Sequence, residues 1–134
     1  MVVIPEEALL EAISELLMER LPKELLAIEE GCGDGLRLEP LRYAGSDKGM
    51  PIGLGMPYAL ITILEADYSE KDRIIRNTVY SVKIQVKLAD YMLIWRYYLG
   101  IEESIKVKEP DNHQITVEKK TLTGDIWVKI IVEK

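Results

Sequence analysis

Residues 79–88 read VYSVKIQVKL, and in them Tyr80, Val82, Ile84, Val86 and Leu88 alternate with Ser81, Lys83, Gln85 and Lys87. Side chains that change character at every second position belong to an extended strand, because successive side chains of a strand point to opposite faces. One face of this strand is apolar and the other polar, the pattern of an antiparallel sheet with its core on one side and water on the other. The polar face carries Lys83 and Lys87. It reads either as a solvated sheet surface or as a surface that meets other subunits.

Working back from this strand, the charged run DYSEKD (residues 67–72) is expected as a turn. Before it, residues 57–66 hold YALITILEA behind Pro57, apolar and rich in β-branched side chains. That composition predicts a strand buried on both faces, central in its sheet. The segment AGSDKGMPIGLGM (44–56) is expected as a loop longer than ordinary connections, and such loops tend to bind something. In it Met50, Ile52, Leu54 and Met56 alternate with Gly49, Gly53 and Gly55, an adaptable apolar strip suited to a protein contact.

Helices are expected over 5–30. Pro5 suits a first helical turn and Glu6 and Glu7 suit its dipole. Leu9, Leu10, Ile13, Leu16 and Leu17 then recur at spacings of three and four. Pro22 interrupts this pattern, leaving either a helical hairpin or one kinked helix, with Gly31 as the C-terminal cap.

Working forward, residues 89–105 have helical spacing through Tyr91, Ile94, Trp95, Tyr98, Ile101 and Ile105, while Met92, Leu93, Tyr97 and Leu99 make the other faces apolar too. A helix apolar nearly all round is buried on more than one side, either in the core or at a subunit interface. Trp95 and Tyr98 are the aromatic residues singled out for the latter. A hairpin over 114–133 closes the chain, with TLTGD as its turn. Its last strand sets Ile126, Val128, Ile130 and Val132 on one face and Trp127 and Ile131 on the other, where Trp127 is a further candidate contact. The order α-α-β-β-α-β-β predicts one α+β domain over 1–134: a mostly antiparallel sheet of about four strands, with N-terminal helices and one further helix packed on it.

The 134 residues, 48% apolar and 30% charged, suit one globular core. The single Cys32 excludes an intrachain disulfide and fits a reducing compartment. The N-terminus lacks the basic start and apolar run of a signal peptide, and no stretch reaches the roughly 20 apolar residues of a membrane span, so a cytosolic protein is expected. A net charge of −6 argues against general wrapping of nucleic acid.

His113 is the sole histidine and lies in a turn-like stretch. The serines lack a nucleophile-elbow pattern, and Asp34, Asp47, Asp67, Glu70 and Asp72 lack the spacing of a calcium loop. Cys32 sits among Glu29, Glu30 and Asp34, which disfavour a thiolate. No Gly-Lys-Ser/Thr follows the loop glycines. No catalytic, metal or cofactor residue is therefore expected. Function classes that remain are a structural subunit, a small-molecule or peptide-binding module using the Gly/Met loop, and, less well supported, a small enzyme.

The leading helix ending in LPKELLAIEEG, the long loop, Pro57 opening YALITILEAD, the charged turn, VYSVKIQVKL, a helix and a terminal hairpin together resemble phage tail terminator, tail completion and neck (head-tail joining) proteins. The likeness is one of pattern and order over most of the chain. It implies a non-enzymatic subunit of a ring, as a hexamer, found in the host cytoplasm and the virion. Such a ring contacts tail-tube or head-connector proteins, with no membrane, while DNA passes an acidic lumen without specific binding. By position, the resemblance directs the loop from Gly49 to Met56 towards a neighbouring subunit or the tube.

Overall fold

A computed structural model describes residues 5–71, 74–107 and 113–133, so Asp72 lies outside the described residues. The elements are α1 (Pro5–Glu19), α2 (Leu21–Cys32), β1 (Ala44–Gly45), β2 (Tyr58–Lys71), β3 (Ile74–Lys87), a 3-10 turn (Tyr91–Leu93), α3 (Ile94–Val107), β4 (His113–Lys120) and β5 (Asp125–Glu133). The fold is α+β, with helices packed on one mostly antiparallel sheet.

The sheet has five strands in the order β1-β2-β3-β5-β4, one more than expected. The addition, β1, is two residues long and runs parallel to β2. Two residues are too few to show a period. What makes the strand is hydrogen bonding on either side of it: Ala59 N donates to Tyr43 O at 2.9 Å, Arg42 N to Pro57 O at 2.8 Å, and the Ser14 hydroxyl of α1 to Ala44 O.

β3 occupies the middle of the sheet, the place expected of β2. Its inner face is the apolar face read from the sequence: Tyr80, Val82, Ile84 and Val86 are buried, and so is Leu88 just beyond the strand. Register extends that face across the sheet. Ile84 pairs with Ile61 and Ile126, Val82 with Ile63 and Val128, and Tyr80 with Ile130. On β4, Val117 and Ile115 continue the row against Val128 and Ile130.

β2 departs from expectation in burial as well. Ala59 and Ile61 are buried, but Thr62 and Leu64 are exposed, because β1 covers the edge of β2 only at Ala59 and Leu60. An apolar run therefore proved one-sided. The charged residues expected as a turn instead prolong the hairpin, since β2 continues to Lys71 and β3 begins at Ile74. His113, likewise expected in a turn, opens β4.

The inner face is covered by Ile13 and Leu17 of α1, Leu21 and Leu25 of α2, and Ile94, Tyr97, Tyr98, Ile101 and Ile105 of α3. Each large side chain so buried contributes roughly 1.5–3 kcal/mol before ordering costs. The N-terminal helices form two separate segments broken at Arg20, with Pro22 in the first turn of α2 where its missing N–H costs nothing. The cap is Gly33, with φ 59°, in place of Gly31, so α2 runs two residues further than expected. α2 and α3 meet where Gly100 has no side chain: a Cβ there would lie 2.9 Å from Leu21 Cδ1 and 3.3 Å from Leu25 Cδ2.

The β4–β5 turn closes against β3 through Gly124. Its φ is 101°, its carbonyl accepts from Val86 N at 2.7 Å, and a Cβ would fall 2.2 Å from Val86 O. Gly124→Ala must therefore move backbone against backbone as well as strain φ, and is expected to cost more than about 2 kcal/mol. Gly53→Ala, at φ 79° with open space around it, should cost only about 1–2 kcal/mol. Urea denaturation of both variants checks the ranking; equal losses would contradict the packing of this turn.

Candidate functional site

The candidate contact residues fall in three places. In the loop, Ile52 is wholly exposed and Met56 is 45% exposed, while Met50 and Leu54 are half-buried. The loop is held at its start by a turn in which Gly49 N and Met50 N donate to Ser46 O and Asp47 O, both at 3.3 Å. The Tyr43 hydroxyl donates to Ser46 O at 2.7 Å from outside that turn. Residues 50–56 thus project from an anchored base, with Ile52 outermost.

The second place is α3, where burial separates what apolar character alone could not. Ile94, Tyr98, Ile101 and Ile105 share a helical face and point into the core. Met92, Trp95 and Leu99 share another, and are 75%, 48% and 48% exposed. Within the chain the helix is covered both on the side of Ile94, Tyr98, Ile101 and Ile105 and on the side of Tyr97 and Gly100, which meet the connector after α2 and α2 itself, so what is corrected is that the stripe of Trp95 and Leu99 is left open. Leu122, at the tip of the β4–β5 turn, is also exposed.

Tyr98 is corrected too, because it is fully buried and presents nothing to a partner. Its hydroxyl lies 2.8 Å from Thr121 O and 2.9 Å from Asp125 O, so the one proton is shared between two turn carbonyls. Burial pushes its ionisation up. Burial also pushes the Tyr97 phenol up to about 12, and its hydroxyl donates to Glu39 O at 2.8 Å. The two tyrosines thereby tie α3 to the terminal hairpin and to the connector after α2. Trp95 rests edge-on against Tyr98, with ring centroids 5.7 Å apart at 80°. Lys120 sits 5.9 Å from the Trp95 ring centre and pairs with Glu102 at 2.6 Å.

The third place is the outer sheet face, where Trp127 is half-buried. Register puts Lys83 on one side of it and Lys119 on the other. Their ammonium groups lie 5.5 and 5.0 Å from the ring centre. Sequence alternation located Trp127 on this face but could not show that strands β3 and β4, distant in the chain, would deliver a lysine to each side.

Among the described residues no group of three His, Cys, Asp or Glu is placed to bind a metal. Asp34, considered as a cation ligand, is engaged by Arg96 through both guanidinium nitrogens, one at 3.1 Å from Oδ1 and the other on Oδ2. That hydrogen-bonded pair, helped by Leu36 N, holds the Asp34 carboxyl near 2 and raises Arg96. Cys32 is exposed. The cleft beside the loop, lined by Arg37, Met56, Pro57, Leu93 and Tyr97, has a volume of about 180 Å³. A second cleft, of about 380 Å³, lies at the base of the loop between Glu6, Glu7 and Leu10 of α1, Ser46, Asp47 and Lys48, and Ile61, Thr62 and Ile63 of β2, within the roughly 300–1,000 Å³ common for small-molecule sites.

No family model, curated protein or solved structure matches the chain. No helix among the described residues is long and apolar enough to cross a membrane.

The division of α3 into a core face and an outward face has a direct consequence. Tyr98→Phe removes one oxygen and takes its buried donor from Thr121 O, while Asp125 O keeps the Thr121 N–H, and is expected to cost about 1–2 kcal/mol. Met92→Ser removes most of a side chain already in water and should change stability by less than about 0.5 kcal/mol. Chemical denaturation gives both values, and the reverse order would contradict the orientation of α3.

Proposed function

We propose that the chain is a structural subunit of a phage or prophage tail terminator or neck ring, built by protein–protein contacts and without enzymatic activity. The observation that carries the proposal is the outward stripe of Trp95 and Leu99 on α3, continued by Met92 in the 3-10 turn that leads into it, together with exposed Leu122 on the β4–β5 turn. Exposed apolar side chains grouped on one rigid element mark a surface that another protein covers. Trp95 is the natural anchor, since aromatic residues dominate binding energy at interfaces. The projecting Ile52 and Met56 supply a second apolar point away from the helix.

Two separate apolar surfaces suit a head-to-tail contact, in which each copy uses different patches towards its two neighbours and a closing rotation gives a ring. The sheet ends also suit it. Among the described residues no strand lies beyond β4, and β2 is covered by β1 only at Ala59 and Leu60. In this reading the partners are further copies and the tail-tube or head-connector proteins, in the host cytoplasm and then in the virion. The net charge of −6 favours passage of DNA without general adhesion.

Light scattering over a concentration series, with negative-stain imaging, tests the proposal. Rings are expected from the unaltered chain, and Trp95→Asp or Ile52→Asp should weaken assembly by about ten- to a hundredfold, the equivalent of one buried side chain at a contact. Both variants assembling as the unaltered chain does would remove these patches from the interface.

A further inference from the structure

On the outer face of the sheet, register sets the residues in rungs that run across the strands. In the two middle strands, β3 and β5, the rungs are Gln85 beside Asp125, Lys83 beside Trp127, Ser81 beside Lys129 and Val79 beside Ile131. On the flank of β3, β2 adds Thr62 to the Lys83 rung, Glu65 to the Ser81 rung and Asp67 to the Val79 rung. On the flank of β5, β4 adds Lys119 to the Trp127 rung and Thr116 to the Lys129 rung. Glu65 and Asp67 thus lie on one side of the face and Lys119 and Lys129 on the other. With Lys83 and Lys87 of β3 and Asp125 and Glu133 of β5, the face holds four lysines and four carboxylates, on a chain whose net charge is −6. Two copies of the chain therefore repel each other least here. The described helices pack on the other side of the sheet, while exposed Leu64 and half-buried Leu60, Val79, Trp127 and Ile131 leave apolar surface on this one.

We infer that this face pairs with the same face of a second copy, about a two-fold axis that lies between the two sheets and runs along the strands between β3 and β5. That operation lays β3 of each copy over β5 of the other, and β2 over β4, rung against rung. Val79 then meets the second copy's Ile131, and by symmetry Ile131 meets its Val79, which makes one apolar cluster on the axis. Asp125 falls over the second copy's Gln85, between its Lys83 and Lys87. Glu65 falls one rung from the second copy's Lys119 and one strand from its Lys129. None of these rungs opposes like charges. Sheets packed face to face lie about 10 Å apart, a gap that lysine and glutamate side chains span from both sides. Each contact draws one half from each copy, as an isologous contact between identical chains requires. Four strands about 4.8 Å apart and five rungs about 6.7 Å apart cover roughly 600 Å² in plan, of the order of the roughly 800 Å² per partner in a standard interface. The contact is on the opposite side of the sheet from the Trp95 stripe and does not depend on the ring reading.

The test is sedimentation velocity of the full chain carrying Trp95→Asp and Ile52→Asp, which disable the proposed ring contacts, from about 1 to 200 μM. The mass should rise from one chain to two. Adding Glu65→Lys should raise the dimer Kd by about tenfold or more, because each reversed charge acts twice across the axis. Lys129→Glu should do the same, although it moves the net charge in the opposite direction. The two reversals together should return the Kd to within about threefold of its starting value, since the exchanged charges face each other again. Within one chain residues 65 and 129 are separated by β3, about 10 Å apart, so this rescue reports a contact between copies.

Three outcomes would overturn the inference: the mass of one chain at every concentration, which would leave the face to a different partner; a dimer indifferent to both reversals; or an exchanged variant as weak as the single ones. Circular dichroism of each variant establishes that folded chains are compared. Lys119→Glu, on edge strand β4, carries the same expectation as Lys129→Glu if the latter unfolds the chain.

Discussion

Lys83 and Ile84 are neighbours in sequence and lie on opposite sides of the sheet, and this alternation in β3 is the constraint on which the other elements depend. A shift of one residue in its pairing would turn Ser81, Lys83, Gln85 and Lys87 towards the helices and Tyr80, Val82, Ile84 and Val86 towards water. Removing a lysine charge from water without a partner costs several kcal/mol, so the alternative register is closed on electrostatic grounds alone. With β3 fixed, β2 and β5 are fixed by the isoleucines and valines that pair with it, and β4 follows from β5. α3 must then turn Ile94, Tyr98, Ile101 and Ile105 inward, which leaves Met92, Trp95 and Leu99 facing out.

Tyr98 converts that orientation into a position. A phenol buried among aliphatic side chains needs a hydrogen-bond partner, and here the carbonyls of Thr121 and Asp125 provide it. The same turn presses Gly124 against the Val86 carbonyl. The N-terminal end of α3, the tip of the last hairpin and the end of β3 are therefore one packed unit. Trp95 and Leu122 stand on it, and a surface mounted on such a unit is fixed in shape before any partner arrives, which lowers the ordering cost of association.

Much of this was legible in the sequence wherever a period was long enough to repeat. The alternation of 80–88 identified the inner face residue by residue, the terminal hairpin and its TLTGD turn stood where the structure has them, and the helical spacing read over 89–105 prevailed over its β propensity, although the α-helix begins only at Ile94, after a 3-10 turn. What could not be read depended on neighbours distant in the chain. The apolar run of β2 looked buried on both faces because composition does not reveal how much of an edge is covered. β1 is too short to have a pattern. Tyr98 and Trp95 were grouped because both are aromatic at helical spacing, although 98 falls in line with 94, 101 and 105 and 95 with 92 and 99. The lysines flanking Trp127 come from β3 and β4, so only the register brings them together.

Amide hydrogen exchange resolved by residue tests the central place of β3 most directly. If the register of β3 governs the rest, the amides of Val82, Ile84 and Val86 exchange only through global unfolding, while β1, the exposed edge of β2 and the loop from Met50 to Met56 exchange through smaller openings. Protection that peaks in β2 or β4, with β3 opening at lower free energy, would contradict the account and put the sheet's organising strand elsewhere.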